Sequence, residues 1–286
     1  MSRPDAIAVL GSRLRADDKR LLDAIERRGV PVVRVDPRCS AFPLEVAQAP
    51  WRHVLNREIS ATRARYAALT LEAQGAVVVN SAAAVQTCAD KWLTSLALRR
   101  DGVPTPRTVL ALAPEAALET FDAFGYPVVV KPLTSSWGKR VSLVRDPDAA
   151  RAVIEHCAAL PSPQAHLIYL QEYLDKPGRD IRVVVAGDRP VAAGYRICDG
   201  WRTNVALGAR TEPCEITADL AKLAVAAARA VGADVAGVDV AEDPHNGLTV
   251  LEVNHNIEFS GVQRAHGDRL DIAVEIVDAV LTRVLA

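Results

Sequence analysis

The sequence predicts an α/β (α+β) protein in three parts. Over the first 85 residues, short apolar runs alternate with amphipathic helical stretches, which is the pattern of βα units on a mostly parallel sheet. A smaller, proline-punctuated α+β unit follows over 86–170. From 171 to 286 strands come in neighbouring pairs across tight turns, as in an antiparallel sheet, and helices close the chain.

In order, AIAVL at 6–10 reads as a buried strand. A helix follows over 17–28, with Leu21, Leu22 and Ile25 in one stripe and Gly29 just past its end. VVRV at 32–35 is a second strand, 63–73 a helix, and 76–80 a third strand. The stretch 82–101 reads as one helix carrying Lys91 and Trp92. A proline-flanked strand entry and a helix over 113–123 lead to GYPVVVKPL, a strand ending in Lys131. SSWGKR is a turn, VSLVRD a strand, and 147–158 a helix. Strands at 167–173, 181–187 and 189–197 follow, the last two joined at Gly187-Asp188. The segment 198–214 is polar and irregular, 216–231 a strong helix, 234–240 and 248–253 a strand pair, and 271–285 the closing helix.

Composition excludes several function classes. The net charge of -1 gives no global pull toward nucleic acid or an anionic membrane, and no apolar run reaches the ~18 residues of a membrane span. The N-terminus lacks the layout of a signal peptide. Five scattered cysteines without a Cys-x-x-Cys pair favour free thiols and a cytoplasmic location.

The chemistry concentrates at the last strand pair. Around the turn EDPHNG, a hairpin symmetric about His245-Asn246 sets Asp239 opposite Glu252, with Asn254 two residues on and on the same side. Directly opposed carboxylates repel unless a cation or a proton intervenes. Two carboxylates and an amide oxygen suit Mg²⁺; a protonated carboxyl, or a bulge separating the two, reads equally well. Lys131 closes a buried strand and needs an anionic partner. Lys91 lies on a helix face beside Trp92, where solvation alone could account for it. SSWGKR offers hydroxyls, backbone N–H groups and a glycine, a weak signal for a phosphate flap. The first strand has no GxGxxG after it, which speaks against a dinucleotide.

Taken in order, the strings RLRADDKRLLDA, NREISATRARYAA, CADKWLTSLAL, FGYPVVVKPLTSSWGK, YLQEYLDKPGRDIRV, WRTN and EVNHNIEF resemble the ATP-grasp superfamily. Within it they are most similar to the LysX/ArgX ligases, with the RimK glutamate ligases more distant. The resemblance implies a Rossmann-like N-terminal domain (1–85), an ATP lid domain (86–170) and a C-terminal antiparallel-sheet domain with the metal site (171–286). It implies ATP and Mg²⁺ as cofactors, two ions, with Mn²⁺ an alternative. It implies a small acidic amino-group carrier protein with a C-terminal glutamate as partner, an amino acid as substrate, and a homo-oligomer, dimer or tetramer.

Site roles follow the same resemblance. Lys91 and Lys131 contact ATP phosphates, Ser136, Trp137 and Gly138 form the flap, Glu172 and Leu174 line the adenine, and Asp180 meets the ribose. Arg202 and Asn204 lie near the phosphates and serve catalysis; Asp239, Glu252 and Asn254 hold the metal. Arg57, Arg63, Arg182, His255, Glu258 and Phe259 are candidates for the carrier or the amino acid. The expected activity joins an amino group, that of α-aminoadipate first, to the carrier's glutamate through an acyl phosphate. Glutamate or another amino acid is the alternative, and a non-catalytic ATP- or carrier-binding protein is the alternative of another class. Two departures stand out. Leu207-Gly208-Ala209 replaces the Arg-Gly-Gly typical of relatives, and the opening strand ends in Gly11-Ser12 where relatives often carry an acid.

Overall fold

The computed structural model describes residues 6–134, 139–198, 200–201 and 210–285. Three sheets organise it. The first is parallel, in the order β2-β1-β3-β4, from β1 (Ile7–Leu10), β2 (Val32–Val35), β3 (His53–Asn56) and β4 (Val77–Val79). Helix α1 (Ala16–Arg27) and helix α2 (Ala61–Ala73) provide crossovers. Strand β3 did not stand out in the sequence: it is four residues long and begins and ends in the polar His53 and Asn56.

The stretch expected to be one helix over 82–101 is two, α3 (Ala82–Ala89) and α4 (Lys91–Arg100). Asp90 breaks it. Its backbone is extended and its carboxylate accepts the N–H groups of Trp92 and Leu93 at 2.9 and 3.1 Å, a strong N-cap. Both helices pack on the C-terminal core through Ala84, Cys88, Ala97 and Leu98.

The middle sheet runs β5-β8-β6-β7, all antiparallel, from β5 (Thr108–Ala111), β6 (Val128–Lys131), β7 (Ser142–Val144) and β8 (Ile168–Glu172). Helices α5 (Pro114–Phe124) and α6 (Pro147–Ala158) cover one face and close a separate core around Phe121, Val128 and Ile154.

The third sheet has the order β11-β10-β9-β12-β13 and is wholly antiparallel. Its strands are β9 (Arg179–Ala186), β10 (Arg189–Ile197), β11 (Arg210–Pro213), β12 (Val235–Asp243) and β13 (Gly247–Asn254). Gly187, at φ 60, makes the β9–β10 turn possible. The segment 198–214 therefore contributes a strand, β11, where the sequence suggested only irregular chain.

Strand alternation gives this sheet two different faces. Ile181, Val183 and Val185 point to one core with Val238, Val240 and helix α7 (Ala218–Ala230). Val184, Ala186, Ala192 and Val235 point the other way, under helix α9 (Ile272–Leu285). That second core also takes in Ile7, Leu21 and Ile25 of the N-terminal unit, so both ends of the chain share it. Its apolar part covers one end of the face. The other end carries Arg182, Arg196, Asp239 and Glu252 and is left open as a cleft.

Candidate active site

The cleft has a volume of about 900 Å³ and draws on all three units. It brings together eleven residues singled out in the sequence: Lys91, Lys131, Glu172, Leu174, Asp180, Arg182, Asp239, Glu252, Asn254, His255 and Glu258.

Asp239 does face Glu252, and Gly237 faces Asn254. The way the chain achieves this differs from a symmetric hairpin. From the turn outward, Asp243 pairs with Gly247 and Val240 with Val250; then the register slips, and Asp239 pairs with Glu252. Leu251 is the extra residue of a β-bulge. Without the slip, Glu252 would share a face with Val250, which is fully buried in the core. With it, Val250 and Val253 both face the core while Glu252 and Asn254 face the cleft. Outside the bulge, Val250 N–H donates to Pro104 O at 2.8 Å and Thr105 Oγ1 donates to Val250 O at 3.0 Å, so the strand's outer edge is covered.

Asp239 lies between two arginines. Arg196 Nη2 is 3.0 Å from Oδ2, and Arg182 Nη2 donates to the same oxygen at 3.2 Å. Arg182 Nε approaches Oδ1 to 2.6 Å, but not along its N–H, so Oδ1 is buried with no hydrogen bond. Gly237 makes room for this: a Cβ there would sit 2.5 Å from Arg182 Nη1 and 2.8 Å from Ile257 Cγ2. Burial pushes the Asp239 carboxyl up, against the pull of Arg182 and Arg196. Glu252 goes the other way: burial alone would raise it, but Lys91, at 3.4 Å, with Lys131 and Arg182, holds it below the ordinary carboxylate range. Two opposed carboxylates, one with an orphaned buried oxygen, and the Asn254 amide on the same face fit a hard divalent cation.

Lys131 is brought down to about 8, first by burial and then by Lys91 and Lys176 against the pull of Glu252. Its Nζ donates to Gln171 Oε1 at 2.5 Å; Gln171 Nε2 donates to Tyr169 Oη at 2.9 Å, and Tyr169 Oη lies 2.8 Å from Ser95 Oγ. This buried chain fixes the ammonium at the strand end. Lys91 N–H donates to Leu133 O at 3.0 Å, which ties α4 to the middle unit.

Several expectations are corrected. Asp180 was expected at the ribose, yet it is 2% exposed and both oxygens are taken: Arg196 Nε and Nη2 donate to them at 2.6 and 2.8 Å, and Lys176 adds a contact at 3.5 Å. It holds Arg196 against Asp239 instead. Arg57, expected to meet substrate or carrier, is buried, with Nε on Asp18 at 2.8 Å and Nη2 on Ile257 O at 2.9 Å. Phe259 is a core residue with no exposed surface. Arg63 lies outside the cleft lining and donates to Glu58 at 2.8 Å. Glu58 also accepts Ser12 N–H at 2.8 Å and Ser12 Oγ at 3.1 Å, so an acid does meet the end of the first strand, from β3's side. His255 is lowered to about 4 by burial and by Arg57, and so is neutral at physiological pH. Ser136, Trp137, Gly138, Arg202, Asn204 and Leu207 lie outside the described residues.

Residues that sequence reasoning missed are Gln171, Lys176, Arg196 and Arg15. Gln171 and Lys176 stand inside a quoted string, in QEYLDK, as Arg15 does in RLRADDKRLLDA, and Arg196 lies next to the last residue of an apolar strand.

Residues 88–280 match the RimK-like ATP-grasp domain and residues 7–87 the LysX preATP-grasp domain. The chain belongs to the RimK-like ATP-grasp family. Glutamate–LysW ligase ArgX of Sulfurisphaera tokodaii is 31% identical over 93% of this chain and 95% of its own length. Alpha-aminoadipate–LysW ligase LysX of Saccharolobus solfataricus is 34% identical over 74% of this chain and 78% of its own. A crystal structure of a RimK domain ATP-grasp protein from Sphaerobacter thermophilus superposes with a TM-score of 0.80 at 28% identity, over 96% of this chain and 99% of that one. The three-sheet architecture is thus the ATP-grasp fold, and this ATP-grasp ligase places its carboxylates and lysines where the sheets of that fold converge. Among the described residues no helix is long and apolar enough to cross a membrane.

Proposed function

We propose that this chain is an ADP-forming carbon–nitrogen ligase that joins the amino group of α-aminoadipate to the C-terminal glutamate of a small acidic carrier protein. The observation that carries the chemistry is the opposition of Asp239 and Glu252 beside Lys91 and Lys131 in one cleft. A carboxylate is a poor electrophile, and phosphorylation by ATP turns it into an acyl phosphate that an amine can attack. The amide forms, and ADP and phosphate leave.

Lys131 and Lys91 place positive charge where phosphate oxygens gather it during transfer. Glu172 and Leu174, on the strand end and the segment after it, suit the adenine edge, and Lys176 beside Asp180 is the nearby cation. Asp239, Glu252 and Asn254 would hold Mg²⁺, two ions in our reading, which supplies charge neutralisation for the phosphates. Ser136, Trp137 and Gly138 would close over the nucleotide and exclude water, and Arg202 and Asn204 would meet the transferred group. A cytoplasmic location suits five cysteines that are all unpaired thiols, and our reading adds a homo-oligomer.

Glutamate is the second reading, favoured because the ArgX relative aligns over nearly the whole chain. The test follows ADP release with Mg·ATP, a panel of amino acids and a carrier ending in glutamate, together with the carrier's mass. A carrier-dependent signal with a mass gain of one aminoadipate residue supports the first reading, and a gain of one glutamate supports the second. ATP binding without turnover would reject both in favour of a binding protein.

A further inference from the structure

The cleft has a second end, lined by residues of the N-terminal unit, to which the reading above assigns neither nucleotide nor metal. Arg15, at the start of α1, lines it. Its guanidinium is fixed on three sides. Nε and Nη2 donate to Asp18 at 2.9 and 3.1 Å, and Nη2 also donates to Asn256 Oδ1 at 2.9 Å and to Arg57 O at 3.3 Å. Asp18 is buried and braced in turn by Arg57. The remaining nitrogen, Nη1, is paired among the described residues with Glu258 alone, 3.6 Å away, whose side chain is 54% exposed. An ion pair so long and so exposed is weak and easily displaced.

We propose that Arg15 anchors a carboxylate of the acidic substrate at this end, with Glu258 occupying the position until the substrate arrives. The inference rests on the ligase reading above and deepens it by naming a residue that selects an acidic substrate. Three features support it. The guanidinium is preorganised, so little rotamer entropy is lost when a carboxylate docks. Its partner Asn256 lies two residues beyond the metal-facing Asn254, at most about 7 Å along extended chain, within reach of a dicarboxylic amino acid whose amine sits at the phosphates. Exchange of one carboxylate for another leaves the local charge unchanged, whereas a phosphate dianion would face Asp18 and Glu258 together. Arg264 of helix α8 (Ser260–His266) lines the same end and pairs with no carboxylate among the described residues.

The experiment compares wild type with Arg15→Met, using α-aminoadipate, glutamate and the uncharged norleucine, with a carrier peptide ending in glutamate. KM for ATP and the thermal midpoint are followed alongside. The preference for the acidic amino acid, as a ratio of kcat/KM values, is expected to fall about tenfold or more, the worth of one charge-assisted hydrogen bond, while KM for ATP holds. A rise confined to KM for the carrier peptide would equally support the anchor and assign it to the carrier's terminal carboxylates. If neither changes, or if every parameter falls together with the midpoint, Arg15 only braces the loop and the proposal is overturned. Should Arg15→Met not fold, Glu258→Gln decides: a lower KM for the acidic amino acid supports the anchor, and an unchanged or higher one overturns it. If wild type joins no amino acid to the carrier, the ligase reading has failed; calorimetry of α-aminoadipate against both proteins then tests the anchor alone, with equal affinities overturning it.

Discussion

Lys131 sits where burial and function pull in opposite directions. Its folded-state value of about 8 lies below the ordinary 10.5 for a lysine. Burying the charge therefore costs stability in full below about 8, and the cost is relieved as pH rises from there to 10.5. Phosphate binding needs the charged form. ATP affinity is accordingly expected to hold up to pH 8 and then to weaken by up to about tenfold per pH unit as one proton uncouples. In Lys131→Met the affinity should be several-fold lower at pH 7 and nearly flat with pH. A calorimetric titration at several pH values checks this, and a wild-type profile as flat as the variant's would remove the lysine from the phosphate site.

The bulge in β13 shows how elements aim side chains. Gly237 lets Arg182 lie over β12 and reach Asp239. Gly237→Ala should push the guanidinium away, lower stability by about 1–3 kcal/mol and reduce turnover well beyond what that loss of stability explains. Denaturant midpoints and kcat on the same preparation measure both; turnover and stability at wild-type level would mean that Arg182 can lie elsewhere without loss. Much of this element was legible in the sequence. The facing of Asp239 and Glu252 was readable from the turn chemistry and strand period, though through a register that holds only beyond the bulge. The signal for the slip was present too: Val250 and Val253 are three apart, and a regular strand cannot turn both into one core. The break at Asp90 was readable as an N-cap but lay hidden in a long apolar period. The engagement of Asp180 by Arg196 was not readable, because a regular hairpin turning at Gly187-Asp188 sets Asp180 opposite Tyr195, and only the register shift between Pro190 and Ala192 brings Arg196 there.

Across the whole molecule, the cleft exists only where three sheets meet. Asn80, past the end of β4, donates to Val235 O and His255 O at 2.7 Å each and accepts Val235 N–H at 3.0 Å. Asp17, at the start of α1, accepts Phe259 N–H at 2.9 Å and also the Ser260 hydroxyl. Nucleotide and metal bound between these units should stabilise them jointly. Mg·ATP at about one hundred times its Kd is expected to add about 2.7 kcal/mol, more than ATP or Mg²⁺ alone, because the cation relieves the opposed carboxylates while the phosphates neutralise the lysines. Thermal shifts with each component separately and together test this, and a shift from ATP that is indifferent to the cation would leave Asp239 and Glu252 without a metal.

The core shared by α1 and α9 also bears on how the chain is made. The apolar stripe of α1, Leu21 and Ile25, is covered by residues around Ile272, Ile276 and Val280, which the ribosome adds about 250 residues later. At about 5–20 residues per second this is an interval of roughly 12–50 s. For most of it the first sheet is complete, and the part of the helix turned toward α9 is left uncovered. The loop that carries Asn256 and Glu258 to Arg15 lies between β13 and α8, shortly before α9, and so is made in the same last stretch of synthesis. Completion of the fold and completion of both ends of the cleft thus fall in the same last stretch of synthesis, because Glu252 and Asn254 are made only just before Asn256 and Glu258.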